Sequence, residues 1–257
     1  MRGVAARALV PVLAFALAAP ASARAAITKG PWVQRVTPTS AIVRVEVDPP
    51  GPVSVELGAG RAAADGGAPR TVESAEPRAL HSIPLEGLSP STRYTYTLRA
   101  QGQSKMGGLV TAPPEDGGAP FRFLAYGDNR SDDAAHAAVV RAMVPVASDF
   151  LLHTGDFVEN GASPQQWQTF FDVEAPLMRE RCLFSCVGNH ELVDGKGREY
   201  VRYFGPSDPP PGAAVPPHLD GTFRWSNARF FLLNAMVGYR SGADRAWLEQ
   251  ALRDADE

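Results

Sequence analysis

Three short stretches place glycine directly before an oxygen-bearing side chain: Gly127-Asp128, Gly155-Asp156 and Gly188-Asn189-His190-Glu191. Carboxylate and amide oxygens suit hard or borderline divalent and trivalent metals. A carboxylate shared by two ions lets them sit roughly 3.5–4 Å apart, close enough to hold the attacking and leaving oxygens of a phosphoryl transfer. The imidazole of His190 beside them can protonate a leaving group or stabilise its developing charge. Glu191 is placed to orient that ring or keep it protonated. A single Gly-Asp reads more simply as a helix cap; three in sequence argue for one oxygen-rich site.

Those residues are far apart in the chain. Asp128 and Asp156 are 28 positions apart, and Asp156 and Asn189 are 33. Each follows an apolar run, over 121–126, 150–154 and 182–186. Between the runs lie two helical segments. One covers 132–144, with Ser131 or Asp132 as its cap; the other covers 163–179, with Ser163 capping and Pro164 at the first helical position. The order is β-α-β-α-β. Such units make parallel strands with right-handed crossovers, so all three strand ends fall on one edge, where ligand sites form.

The chain before residue 113 is organised differently. Alternating segments at 41–47, 53–57 and 92–98 are separated by turn signals at Pro49-Pro50-Gly51-Pro52, Asp65-Gly66-Gly67 and Gly87-Leu88-Ser89-Pro90. Short strands at this spacing predict an all-β sandwich. Tyr94 and Tyr96 share one strand face, and Trp32 is a candidate core or interdomain plug. Residues 113–120, rich in Pro and Gly, read as a linker. Among the histidines, His81 reads as a surface or inter-strand residue, His136 as solvated and His153 as buried packing. Cys182 and Cys186, four apart on one strand, lie roughly 13 Å apart and read as packing thiols.

The first 25 residues combine Arg2 and Arg7 with an Ala/Leu/Val/Phe run and small residues at 21–25. That is the pattern of a secretory signal peptide, with an apolar core too short for a stable membrane span. Periplasmic or extracellular export is therefore expected. A net charge of −3 gives no specific indication of nucleic-acid binding. The sequence leaves the oligomeric state open.

Gly127-Asp128, Gly155-Asp156 and Gly188-Asn189-His190-Glu191 resemble the first three motifs of the calcineurin-like metallophosphoesterases. Residues 27–34 (Ile-Thr-Lys-Gly-Pro-Trp-Val-Gln) and 37–41 (Thr-Pro-Thr-Ser-Ala) are similar to the amino-terminal domain of purple acid phosphatases. The passage into Tyr94 resembles the corner leading into a fibronectin type III strand. The resemblance implies a signal peptide over 1–25, a fibronectin-like sandwich over 26–112, a linker over 113–120 and a metallophosphoesterase domain over 121–257. The implied fold class is an all-β sandwich domain followed by an α/β (α+β) domain with a β-sandwich core flanked by helices.

The implied activity is that of a metal-dependent phosphoric ester hydrolase, acting on a phosphate monoester or diester by a metal-bound hydroxide at a dinuclear centre. Its two ions would be drawn from iron, zinc and manganese. By the same resemblance Asp128 binds the first metal, Asp156 bridges, Asn189 binds the second and His190 faces the substrate phosphate. The sequence departs from the family in three places. Arg130 stands where a histidine is common. Glu159 stands where the purple enzymes carry an iron-binding tyrosine. The late motifs that supply further metal-binding histidines are absent, with His218 alone in a Pro-rich loop. The helical pattern at 242–252 resembles the family helix before the fourth motif, so a domain incomplete at its C-terminus is expected. The alternative is a catalytically inactive truncated product, or a secreted binding module.

Overall fold

The computed structural model describes residues 26–58, 69–192, 197–205, 219–236 and 242–255. The leader pattern over 1–25, the Asp65-Gly66-Gly67 signal and His218 lie outside these residues.

The front half is built from β1 (Ala26–Gln34), β2 (Ser40–Leu57), β3 (Arg70–Glu86), β4 (Arg93–Ala100) and β5 (Gln103–Val110). Alternation sets each strand's faces: on β4, Tyr94, Tyr96, Leu98 and Ala100 are buried while Arg93, Thr95 and Arg99 are exposed. The Ser89 backbone N–H donates to Tyr94 Oη at 2.9 Å and fixes the corner into this strand.

β2 corrects one expectation. The Pro49–Pro52 signal does not separate two strands; one 18-residue strand runs through it. The prolines, which lack a backbone N–H, sit where the ladder is irregular, with register shifts on either side of Gly51. Before that irregularity β2 pairs with β1, and after it with β4.

After residues 113–120, which form neither strand nor helix, come β6 (Phe123–Tyr126), α1 (Asp133–Met143), β7 (Phe150–His153), α2 (Pro164–Met178) and β8 (Cys182–Ser185). Asp132 caps α1 by accepting from the Ala134 and Ala135 N–H groups at 3.0 and 2.9 Å. Ser163 caps α2, with Pro164 at its first position. The three strands are parallel and in register, so Tyr126, His153 and Ser185 form one row at their carboxyl ends. Short helices α3 (Asn189–Leu192) and α4 (Arg198–Phe204) follow. A hairpin of β9 (Gly221–Trp225) and β10 (Ala228–Leu232) precedes α5 (Ala243–Arg253).

The two halves share one sheet. Its order is β5-β4-β2-β1-β8-β7-β6, with β3 on β2, and Val33 of β1 pairs in parallel with Cys182 of β8. Adjacent residues of β1 serve opposite cores. Val33 packs among the front strands together with Phe150, Phe184 and Trp225. Trp32 packs with the helices, its ring 4.8 Å from Phe171 on α2. Backbone contacts reinforce this joint: Arg179 O, after α2, accepts from Tyr96 Oη at 2.9 Å and from the Gly108 N–H at 3.0 Å. The buried Arg44 of β2 donates to Tyr203 O at 2.8 Å and Arg202 O at 2.9 Å, tying α4 to the front sheet.

Cys182 and Cys186 are unbridged, and burial pushes the Cys182 thiol up to about 12.

Candidate active site

The site begins where the parallel strands end. The ladder continues briefly beyond them, with Thr154 N–H donating to Tyr126 O and Asp128 N–H donating to Gly155 O at 2.9 and 3.0 Å. Both aspartates then turn into the left-handed region, Asp128 at φ 54° and Asp156 at φ 58°. Few non-glycine residues adopt that conformation, and Asp is among those that tolerate it. The two aspartates therefore share one backbone conformation, although Gly155 has a positive φ and Gly127 does not.

The glycines let these loops touch backbone to backbone. A Cβ on Gly155, itself at φ 98°, would lie 2.6 Å from Gly188 N and 2.8 Å from Gly188 Cα. A Cβ on Gly188 would overlap Asp156 N and Oδ1. The two glycines thus let the loops after β7 and β8 pack directly on each other.

The side chains converge unevenly. Asp128 and Asp156 are brought to one point: Arg130 Nη1 ion-pairs with Asp128 Oδ1 and lies 3.7 Å from Asp156 Oδ2. The Arg130 Nε lies 3.4 Å from Glu159 Oε2. Asn189 is exposed at the head of α3, beside Asp156, whose Oδ1 accepts from the His190 N–H at 3.2 Å. His190 Nδ1 lies 2.7 Å from Glu159 O. A carbonyl only accepts, so Nδ1 carries the proton and Nε2 is the atom available to a ligand.

Glu191 has other partners. Its Oε2 accepts from Asp156 N–H at 3.0 Å and Gly188 N–H at 2.9 Å; its Oε1 accepts from Phe157 N–H at 2.9 Å and Val158 N–H at 3.3 Å. It is 1% exposed. Burial raises its pKa above the usual carboxylate value; the hydrogen bonds from Gly188, Val158 and Asp156 pull it back, and the Asp156 charge pushes it up. The His190 ring is thus oriented by Glu159, while Glu191 ties the second motif to the third.

Behind the strand ends runs a buried polar chain. Gly155 N–H donates to His153 Nδ1 at 3.2 Å, leaving the ring proton on Nε2, which donates to Asn129 Oδ1 at 2.6 Å. Asn129 Nδ2 donates to Phe157 O at 3.2 Å and reaches His136 Nδ1 at 3.4 Å. His136 Nε2 donates to Glu174 Oε1 at 2.7 Å, and Tyr126 Oη donates to Glu174 Oε2 at 2.8 Å. Burial, then the nearby His136, depresses His153 to about 3, so its ring is neutral. Burial above all raises the Tyr126 hydroxyl well above its ordinary value, with the Glu174 carboxylate adding to it. His136, expected in solvent, is 4% exposed: it lies on the inner face of α1 and stacks on Phe170. His81 is also buried, between Ser74 Oγ and Arg78 O.

Sequence reasoning missed Glu159 as an anchor, noting only the absent tyrosine. It also missed Asn129 and Glu174. Glu174 did leave a signal: it is a lone carboxylate in the helical stripe Trp167, Phe170, Phe171, Leu177, Met178. Asn129 and Glu159 left none, because their partners come from other loops.

Among the described residues, no group of three or more His, Cys, Asp or Glu could hold a metal ion. The donors present are Asp128 and Asp156, already gathered around a cationic nitrogen, with Asn189 beside them. That oxygen set and its attraction for positive charge fit a hard or borderline cation at Asp128 and Asp156, and supply only part of a second position.

Comparison with known proteins bears on the fold and the family. The chain is similar in fold to a purple acid phosphatase from yellow lupin (Lupinus luteus) seeds, at TM-score 0.67 and 15% identity, covering 87% of this chain and 48% of that one. It is similarly related to PhoD, at TM-score 0.62 and 15% identity, covering 83% of this chain and 52% of that one. The chain thus spans about half the length of each. No curated protein sequence matches it. The model of the calcineurin-like phosphoesterase family matches residues 121–250, just over half of the chain and all three Gly-led motifs, and the chain belongs to that family.

Proposed function

We propose that this chain carries part of a metal-dependent phosphoric ester hydrolase site, of the acid phosphatase-like kind. One observation carries the reading: Asp128 and Asp156, from adjacent parallel strands, converge on a single cationic nitrogen, with His190 fixed beside them. Asp128 and Asp156 would hold a divalent or trivalent cation, Asp156 bridging towards a second ion at Asn189. Bound there, such ions would polarise phosphoryl oxygens and activate water. The chain's own residues do the rest. Glu159 O holds the His190 ring by Nδ1–H, so Nε2 can hold a proton for the leaving oxygen. Glu191 keeps the two loops in register. Phosphate esters are the substrate class, and the 1–25 pattern supports export.

The partial donor set favours a second reading, a non-hydrolytic product that binds without turnover. Titration of the chain with Mn2+ and Zn2+, followed by p-nitrophenyl phosphate hydrolysis, separates the two. Cation binding that disappears in Asp156→Asn supports the metal site, and turnover supports the hydrolase. Binding and turnover that survive Asp156→Asn would refute the bridging assignment. Cation binding without turnover would favour the second reading.

A further inference from the structure

Arg130 is the one residue of the first motif whose chemistry runs against the family pattern. A histidine there offers a lone pair to a metal. A guanidinium has none and stays protonated, so it cannot be a ligand. It is instead paired with Asp128 Oδ1 and lies 3.7 Å from Asp156 Oδ2. The other side of the guanidinium faces Glu159, with Nε 3.4 Å from Oε2. Glu159 is itself held by Ser131 Oγ at 3.0 Å. Beyond them opens a cleft of about 480 Å³, with Ser131, Gln166 and Thr169 among its polar lining and Phe157, Val158 and Phe170 among its apolar lining. The side chain therefore has a carboxylate and open space on the side away from the two aspartates.

We propose that Arg130 is a built-in competitor of the metal, and a phosphate clasp once the metal is bound. It rests on the metal-site reading above. Without a metal, its charge offsets the repulsion between Asp128 and Asp156 and keeps both loops folded. A cation arriving between the carboxylates takes those oxygens and releases the guanidinium towards Glu159 and the cleft. From there a planar fork of donors, anchored two residues from Asp128, meets a phosphoryl group bound at the site. Guanidinium matches phosphate oxygens in pairs, which an ammonium does not. The ligand recognised on the cleft side is a phosphoryl group with a polar substituent, matching the Ser131, Gln166 and Thr169 lining.

The two roles predict opposite changes from one substitution. Arg130→Gln removes the competitor, so Mn2+ titrated calorimetrically into the full chain should bind about two- to fivefold tighter, the range of a partly exposed ion pair. The same variant, saturated with Mn2+, should bind inorganic phosphate about tenfold more weakly. Arg130→Lys keeps the charge and loses the fork, so it should restore the wild-type Mn2+ affinity but not the phosphate affinity. Unchanged or weaker Mn2+ binding in Arg130→Gln would overturn competition. Unchanged phosphate binding would overturn the clasp. Absence of Mn2+ binding from wild type and variants alike would overturn the metal-site reading itself, an outcome distinct from equal binding by all three.

Discussion

Replacing Glu191 by Gln preserves size and shape and changes one oxygen to an amide nitrogen. The native carboxylate receives four backbone N–H groups, two on each oxygen. Whichever way the glutamine turns, its NH2 faces two N–H donors. Each buried donor left without an acceptor costs ~1–3 kcal/mol, so the pair costs ~2–6 kcal/mol. Some of this is offset, because a neutral amide avoids the burial cost that raises the carboxyl pKa. A net loss of ~2–4 kcal/mol remains. For a chain of this size each kcal/mol moves the melting midpoint ~2–4 °C, so calorimetry should show a drop of ~5–15 °C. Glu191→Asp keeps the charge but is one methylene shorter. It should also melt lower, which separates reach from charge. A Glu191→Gln midpoint within ~2 °C of the parent would refute the anchoring argument, and selective loss of hydrolysis at that unchanged midpoint would return Glu191 to a role at the imidazole.

Two further outcomes follow from the same region. His153 is held neutral when folded, its pKa lowered from 6.5 to about 3, while the unfolded chain titrates near 6.5. Its contribution to stability is therefore complete above 6.5 and lost progressively as pH falls towards 3, by about 1.4 kcal/mol per unit. Urea unfolding at pH 7.5 and 5.5 should show the loss, and His153→Gln should reduce the slope; an equal slope in the variant would assign acid sensitivity elsewhere. Gly155→Ala drives a Cβ against the Gly188 backbone in a residue at φ 98°, so it should cost more than ~3 kcal/mol and lower the urea midpoint accordingly. An unchanged midpoint would show that the two loops separate without cost.

The sequence disclosed what local chemistry dictates. The caps at Asp132 and Ser163, the alternation on β4 and the Gly-led turns after three apolar runs all have their causes within a few residues. What escaped depends on distant partners. Pro49–Pro52 carries turn chemistry, yet β2 runs through it because β1 and β4 pair on either side. His136 is polar on a helix of modest amphipathicity, and its burial is made tolerable by partners elsewhere, Glu174 on the next helix and Asn129 in the loop before α1. Glu191 neighbours His190 in sequence, but a single helical turn points the carboxylate back to the N–H groups of the previous loop. The family resemblance pointed to Asp128, Asp156 and Asn189; it marked Glu159 only as the replacement of a tyrosine, not as the residue whose backbone carbonyl orients the histidine and whose side chain faces Arg130.

The joint between β1 and β8 also has a consequence in time. Val33 finds its parallel partner in Cys182, about 150 residues later, which at ~5–20 residues per second is some 8–30 s of synthesis. Throughout that interval one edge of β1 has no neighbour, and for most of it Trp32 has no α2 to cover it. Such open edges recruit other strands. The β1 edge is thus made early and paired late, and a contact of such long sequence separation is slow to form.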